Sequence, residues 1–397
     1  MSMRLVAHKG ERPRVVIVGG GVAGLEAMLA LRALAGQRLE LELISPEPHF
    51  YYRPLAVAAA FGAQPSSVLS LASVAADADA LYTEDTVAEI KAGSRTLRLA
   101  GGPTCEYDAL IVAPGGRPVE AIPGATTFGL PGSAERFRAI LAQAEAGHVG
   151  KLVFAVPALV GWPLALYELA LLSAERLRAA GSAAAVTVVT AEPAPLSVFG
   201  GRASGAVLEE LEEHGVHFLP GLVAEQVAWG ELHSQPGDSR IPADAVIALP
   251  KLLGPDLGGL PRDRDGFVPV DLHGLVRGLT DVYAAGDAIS FPIKHGGLAA
   301  LQADAVAEAI AARVGVPIHP EPFRPVIRGM LLTGDRPRYL ESGLAGGDGE
   351  SGGVSLRPLW WPPSKIAGRY LAPYLTAQGP LGPAPHGGLP VEMMIGT

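Results

Sequence analysis

The apolar, β-branched run RVVIV at 14–18 ends in glycines at 19–21, and beyond them Ala and Leu recur at helical spacing to about residue 35. LELELI at 39–44 then alternates Leu with Glu and stops at Ser45. A strand, a glycine turn, a helix and a second strand predict a βαβ unit, because parallel neighbours need a crossover. A loop, PEPHFYYRPL, follows, then a small-residue helix over 56–61. Alternation from 81 to 99 predicts a β-meander, closed by YDALIVAPGG at 107–116.

The same pattern begins again at Lys151. KLVFAV predicts a strand, 164–180 a helix, VTVVT at 186–190 a strand, 204–214 a helix and 217–220 a further strand. The chain thus repeats one kind of unit. Beyond 261 the sequence is loop-rich up to VYAAGDA at 282–288, and a helix follows over 297–314. The last stretch is rich in Pro and Gly, with WWPPSKIAGRYLAPYL at 360–375 and the tail GPLGPAPHGGLP. That tail has too few core residues to fold alone and is expected to lie over the rest.

Composition narrows the classes. Of 397 residues, 50 are Gly and 35 Pro, yet 49% are hydrophobic and the mean hydropathy is +0.28, so these residues punctuate a packed protein, not a disordered one. The net charge of −9, without a Lys/Arg block, argues against nucleic acid. One cysteine, Cys105, excludes an internal disulfide, a CxxC pair and a cysteine-based metal site. His214 and His217 sit where a helix runs into a strand, and no metal is expected there. Ser, Gln and Gly interrupt the uncharged stretch 54–76, while Pro157, Pro163, Tyr167 and Glu168 interrupt 152–172, so neither is expected to span a membrane. MSMRLVAHKGERPR lacks the apolar core of a signal peptide. A cytoplasmic protein is expected, with peripheral contact at the inner face of the membrane left open.

The first glycine turn carries candidate chemistry. Gly19 allows the tight turn, Gly21 lets the backbone approach a pyrophosphate, and Gly24 lets helix and sheet pack closely. Val22 and Ala23 open a helix whose N–H groups face an anion. Where an acidic residue would hold a ribose hydroxyl stands Ser45, with Glu47 nearby; either side chain, or the main chain, takes that role.

VVIVGGGVAGLEA, YDALIVAPGG and DVYAAGDA, in this order, resemble the three FAD signatures of the pyridine nucleotide-disulfide oxidoreductase superfamily, the flavoproteins with two dinucleotide-binding domains. SPEPHFYYRPL and PIKHGGLAALQADAVAEAIA are similar to its sulfide:quinone oxidoreductase and type II NADH dehydrogenase branch, and the resemblance covers roughly 13–330. It implies an α/β fold with two Rossmann-like domains and a C-terminal cap. The FAD-binding domain would take 1–125 and 262–322, the second domain 126–261, and the cap or interface segment 323–397. It also implies non-covalent FAD as the redox centre and a small-molecule donor and acceptor, a quinone among them; a homodimer is left open.

By motif, Gly19, Gly21 and Gly24 would hold the pyrophosphate, and Val87 would contact adenine through its main chain. Ala113, Pro114 and Gly115 would pass beside FAD, with Pro114 where the family has Thr. Gly286 and Asp287 would hold the ribityl chain. Gly296, Gly297 and Leu298 would open a helix toward the flavin pyrimidine, where a helix N-terminus stabilises the negative charge of reduced flavin. Arg53 and Pro54 would sit beside the isoalloxazine, and Lys294 is the candidate electrostatic partner of the reduced flavin; a solvated loop lysine is the plain alternative.

The second unit lacks the glycine pattern. Where it would stand are Val156, Pro157, Ala158, Leu159, Val160, Gly161, Trp162 and Pro163; only Gly161 survives, although Glu168 follows in the helix. A working NAD(P)H site is not expected but stays open. Cys105 is expected to be a surface or half-buried loop thiol, outside any sulfur relay. Residues 360–375 are expected to pack over the flavin or a dimer interface, since Pro362, Pro363 and Pro373 oppose a long membrane-lying helix. The sequence therefore implies an FAD-dependent oxidoreductase passing electrons from an unidentified donor to a quinone-like or other small acceptor without a cysteine relay. A quinone-reducing NAD(P)H dehydrogenase and a non-catalytic flavin-binding module are the alternatives.

Overall fold

A computed structural model describes residues 5, 12–63, 68–158, 160–343 and 352–378. Strands Arg14–Val18, Glu40–Ser45, Leu81–Glu84, Ala109–Val112 and Val282–Ala284 form one parallel sheet, with Arg14–Val18 at its centre. The centre is buried on both faces: Val22–Ala35 and Gly296–Arg313 pack together over Val15 and Ile17, while Val16 and Val18 meet apolar residues of Val87–Lys91, Thr96–Leu99 and Thr104–Glu106 on the other side. The chain leaves this sheet after residue 112 and returns at 282.

A second five-stranded parallel sheet runs in the order Thr126–Thr127, Ala245–Ala248, Lys151–Ala155, Ala185–Val189, Val216–Leu219. Helices Leu164–Ala179 and Gly201–Glu213 contribute to its core. The second helix starts three residues before the predicted 204, because Gly200 makes the entry turn at φ +86°.

Two expectations are corrected here. Leu81–Glu84 is not part of a meander; it pairs in parallel with Glu40–Ser45 as an edge strand, and its alternation reflects its partly exposed faces. The meander holds only Val87–Lys91, Thr96–Leu99 and Thr104–Glu106. Cys105 lies on the last of these strands and is buried, not at the surface. Its thiol donates to Glu42 Oε2 at 3.4 Å, and burial with the Glu42 charge pushes it up to about 12, so it stays a protonated thiol at neutral pH.

The C-terminal region also holds more regular structure than its composition suggests. Val326–Leu331, Arg338–Gly343 and Gly353–Ser355 form an antiparallel sheet against the second unit, where a Cβ on Gly329 would meet Leu164 and Phe199 side chains at 2.7 Å. The tail GPLGPAPHGGLP lies outside the described residues. Among the described residues, no helix is long and apolar enough to cross a membrane, and no group of three or more His, Cys, Asp or Glu is placed to hold a metal ion.

Candidate functional site

Four turns meet at one edge of the first sheet. Gly19 follows Arg14–Val18, Ser45 ends Glu40–Ser45, Ala113 follows Ala109–Val112, and Gly286 stands just beyond Val282–Ala284. Because these strands are parallel, all four lie at carboxyl ends. The crevice opens where the connections from Arg14–Val18 and Ala109–Val112 diverge, which is where open α/β sheets take ligands.

The glycines differ in what they do. Gly19 has φ +111°, and a Cβ there would stand 2.3 Å from the Ala113 carbonyl oxygen. A Cβ on Gly24 would stand 1.9 Å from the Gly19 carbonyl oxygen. Both are required for the corner to close. A Cβ on Gly21 meets nothing within 4 Å, although Gly21 caps the helix that Val22 and Ala23 begin. Gly115, at φ +82°, is open in the same way. Gly286, at φ +76°, joins the opening turns of both helices: its Cβ would lie 3.0 Å from Ala23 and 3.5 Å from Ala299.

Asp287 follows with a half-buried carboxylate that accepts no hydrogen bond from any described residue. Burial raises its pKa, while the charges of Lys294 and Arg53 oppose that shift. An undonated acceptor beside an open glycine cradle fits the hydroxyl- and phosphate-rich chain of FAD. Lys294 is neither solvated nor free: its Nζ donates to the Ile289 carbonyl and sits 3.6 Å over the Phe267 ring. Burial pushes its pKa down to about 8 against the pull of Asp287 and Asp263.

The remaining expected residues are distributed around this crevice. Ser45 is buried beside the glycine turn, its Oγ 3.2 Å from where a Gly20 Cβ would be, and it accepts the Glu47 N–H at 3.3 Å. Glu47 itself is exposed. Arg53 is exposed and Pro54 half-buried in the short turn Arg53–Leu55. Val87 shares a buried cluster with Val18 and Val112. The Gly116 position, next to Ala113, Pro114 and Gly115, would place a Cβ 3.5 Å from the Asp287 carbonyl oxygen. Gly296, Gly297 and Leu298 open the Gly296–Arg313 helix, with Gly297 and Leu298 buried.

In the second unit the corresponding turn is filled. A Cβ on Gly161 would lie 2.1 Å from the Pro292 carbonyl oxygen, so this glycine packs against the segment that carries Lys294. Trp162 stacks on His295 with ring centroids 4.1 Å apart and meets Phe199 edge-on. Glu192, just beyond the second strand of this unit, is not among the residues expected from the sequence; an acid after a strand is its only sequence signal. Its carboxylate accepts from Tyr167 Oη at 2.8 Å, Thr190 Oγ1 at 3.2 Å and the Ser197 N–H at 3.2 Å.

The family model for pyridine nucleotide-disulphide oxidoreductases matches residues 13–310. The chain belongs to that family. It is an FAD-dependent oxidoreductase of mixed α/β fold. The chain is 29% identical over 340 residues to the ferredoxin reductase component of chlorobenzene dioxygenase from Cupriavidus sp. (strain PS12), covering 76% of this chain and 75% of that protein. Its fold is similar to the sulfide:quinone oxidoreductase from Aquifex aeolicus, with a TM-score of 0.77 and 19% identity over 92% of this chain and 89% of that one. It is also similar to the ferredoxin reductase for the CYP199A2 system from Rhodopseudomonas palustris, with a TM-score of 0.64 and 21% identity over 85% and 84%.

In this oxidoreductase, residues 360–375 pack across both units. The Lys365 ammonium pairs with the fully buried Glu168 of Leu164–Ala179, which also accepts the Leu332 N–H at 2.9 Å. Trp360 donates to the Ser364 carbonyl at 2.9 Å, and the Ile366 N–H donates to Tyr52 Oη at 2.9 Å. Ile366 lies against Gly296, where a Cβ would come within 2.9 Å of it. Only the short helix Leu371–Ala377 is helical here. Glu168 is therefore a packing anchor for the cap, a use the sequence did not suggest.

Proposed function

We propose that this flavoprotein carries electrons to a quinone-like or other small acceptor from a donor other than a nicotinamide nucleotide held by the second unit, without a cysteine relay. The observation that carries this reading is the turn of the second unit, where Val156 and Ala158 stand in place of the first two glycines and Trp162 packs against His295. A dinucleotide turn needs open glycine backbone to approach a pyrophosphate. Here Gly161 abuts Pro292, Trp162 abuts His295, and the acid placed to hold a ribose is satisfied by Tyr167, Thr190 and Ser197. The chain's one cysteine, Cys105, is buried beside Glu42 with its thiol held protonated, which supports a mechanism free of sulfur intermediates.

In this reading FAD binds non-covalently and supplies the two-electron chemistry. The main chain at Gly19, Gly21 and Gly24, with Val22 and Ala23, would hold the pyrophosphate, since helix N–H groups favour an anion. Asp287 would accept from ribityl hydroxyls. Lys294, fixed by the Ile289 carbonyl and Phe267, keeps a positive charge facing Asp287 and so steadies the site's electrostatics. Gly296, Gly297 and Leu298 would present N–H groups and a helix dipole toward the flavin. The likeness to ferredoxin reductases favours a second reading, in which the acceptor is a ferredoxin and NAD(P)H is the donor.

Anaerobic spectroscopy separates the two. The holoprotein is mixed with NADH or NADPH, and the photoreduced holoprotein with a soluble quinone or a ferredoxin. Flavin absorbance that persists with both nicotinamides and returns promptly with quinone is expected. Bleaching by NADH within seconds would overturn the donor assignment, and reoxidation by ferredoxin alone would overturn the acceptor.

A further inference from the structure

Tyr52 ties two flanks of the crevice together. Its carbonyl accepts the Leu55 N–H at 3.1 Å and so opens the turn that carries Arg53 and Pro54. Its ring is buried edge-on against Phe50, with centroids 6.3 Å apart. Its hydroxyl accepts the Ile366 N–H of the cap at 2.9 Å. The Ile366 carbonyl in turn accepts from Ser364 Oγ at 2.6 Å, and the Ser364 carbonyl from Trp360 Nε1 at 2.9 Å, so both backbone groups of Ile366 are held. The Ile366 side chain covers the start of Gly296–Arg313: a Cβ on Gly296 would stand 2.9 Å from its Cδ1 and Cγ1.

That helix end carries no side-chain cap. The Ala299 N–H donates to the His295 carbonyl at 2.9 Å, which leaves the N–H groups of Gly296, Gly297 and Leu298 ahead of the helical ladder, and the His295 side chain caps none of them. Gly297 and Leu298 are buried. In the same crevice the Asp287 carboxylate accepts no hydrogen bond from any described residue, so donors and an acceptor both stand ready for a polar group.

We propose, resting on the reading that FAD fills this crevice, that Tyr52 is a positioning residue: its hydroxyl holds Ile366 over Gly296 and so keeps water from the helix end turned toward the flavin. N–H groups shielded from water act through a lower effective dielectric than hydrated ones, and they favour the negative charge of reduced flavin more strongly. Through Ile366, Tyr52 therefore raises the flavin's reduction potential. The neighbouring Lys365 is not the source of this field, because its ammonium is paired with buried Glu168. Removing the Tyr52 hydroxyl strands the buried Ile366 N–H, which favours its release to water and loosens the cover.

Redox titration of the full-length holoprotein, followed by flavin absorbance, tests this. At a fixed potential the ratio of reduced to oxidised flavin should fall about tenfold in Tyr52→Phe, a shift of about 30 mV to more negative values for a two-electron couple. Ile366→Ala should shift it the same way, Ile366→Val should restore most of the parent value, and Leu356→Ala, at an exposed cap position, should leave it unchanged. In the flavin-free chain, hydrogen exchange at Ile366, Gly297 and Leu298 should quicken in Tyr52→Phe. A parent that takes up no flavin overturns the reading on which this rests. A parent that binds flavin, with Tyr52→Phe and Ile366→Ala both at its potential, overturns the role of Tyr52 alone. Should Tyr52→Phe not fold, the two Ile366 variants decide: equal potentials in Ile366→Ala and Ile366→Val overturn it.

Discussion

Gly161 of the second unit lies against Pro292 of the first so closely that a β-carbon on it would fall 2.1 Å from the Pro292 carbonyl oxygen. The only glycine left from a nucleotide turn has become a contact between the units. Beside it, Trp162 covers His295, whose next residue begins the helix expected to face the flavin. The position at which Gly24 packs helix against sheet in the first unit is here packed against the neighbouring unit.

Gly161→Ala should therefore cost about 1–3 kcal/mol by overpacking. Urea unfolding of the holoprotein measures this, and binding titrations should show no gain of NADH affinity. A variant as stable as the parent would mean that the Pro292 contact yields easily.

Gly21→Ala and Gly24→Ala should separate ligand contact from packing. Gly24→Ala places its methyl 1.9 Å from the Gly19 carbonyl oxygen and should destabilise the flavin-free chain by roughly 1–3 kcal/mol or more. Gly21, at φ −85°, tolerates alanine without meeting protein atoms, so Gly21→Ala should leave flavin-free stability within about 0.5 kcal/mol. Its FAD affinity should nonetheless drop at least about tenfold, because the methyl enters the proposed pyrophosphate cradle. Flavin content after reconstitution reads the difference.

Lys365→Met should cost about 3–5 kcal/mol, because it strands a buried carboxylate. Burial already raises the Glu168 pKa, and Lys365 opposes that. Without the lysine the folded pKa rises further above the unfolded value. Stability present at low pH is then lost as pH climbs from the ordinary carboxyl range through the folded pKa. Melts at pH 5.5 and 8 should show a larger deficit at 8; the companion change Glu168→Leu in the same chain should recover most of it.

His295 should oppose folding in acid. Burial, with Lys365 nearby, pushes its pKa down to about 3, and its Nδ1 lacks a partner. Because the unfolded imidazole protonates near 6.5, the unfolded chain binds more protons between about 3 and 6.5. Stability should fall as pH drops through that window, and His295→Phe should remove this contribution while keeping a ring against Trp162. Unchanged pH dependence in the variant would show that His295 does not carry it.

Much of the candidate crevice is legible in the sequence because each turn satisfies its own local requirement. A strand that must turn sharply and admit a phosphate needs glycine at set spacings, so Gly19, Gly21 and Gly24 announce themselves, as does Gly286 before Asp287. Lys294 is harder. Its position before a helix is visible, but Phe267 and the Ile289 carbonyl, which fix it, come from a loop whose path no local pattern specifies.

The sequence by itself determined the two βαβ repeats, the intact first glycine turn and the degraded second one, since strand period, helix period and turn glycines are set by neighbours in the chain. The tertiary structure decided what fills the degraded turn, where Lys365 finds Glu168, and how the Tyr370 and Leu371 N–H groups come to meet the Glu26 carboxylate. Those contacts join segments more than a hundred residues apart, and their distances depend on how sheets and helices dock, which no spacing along the chain records.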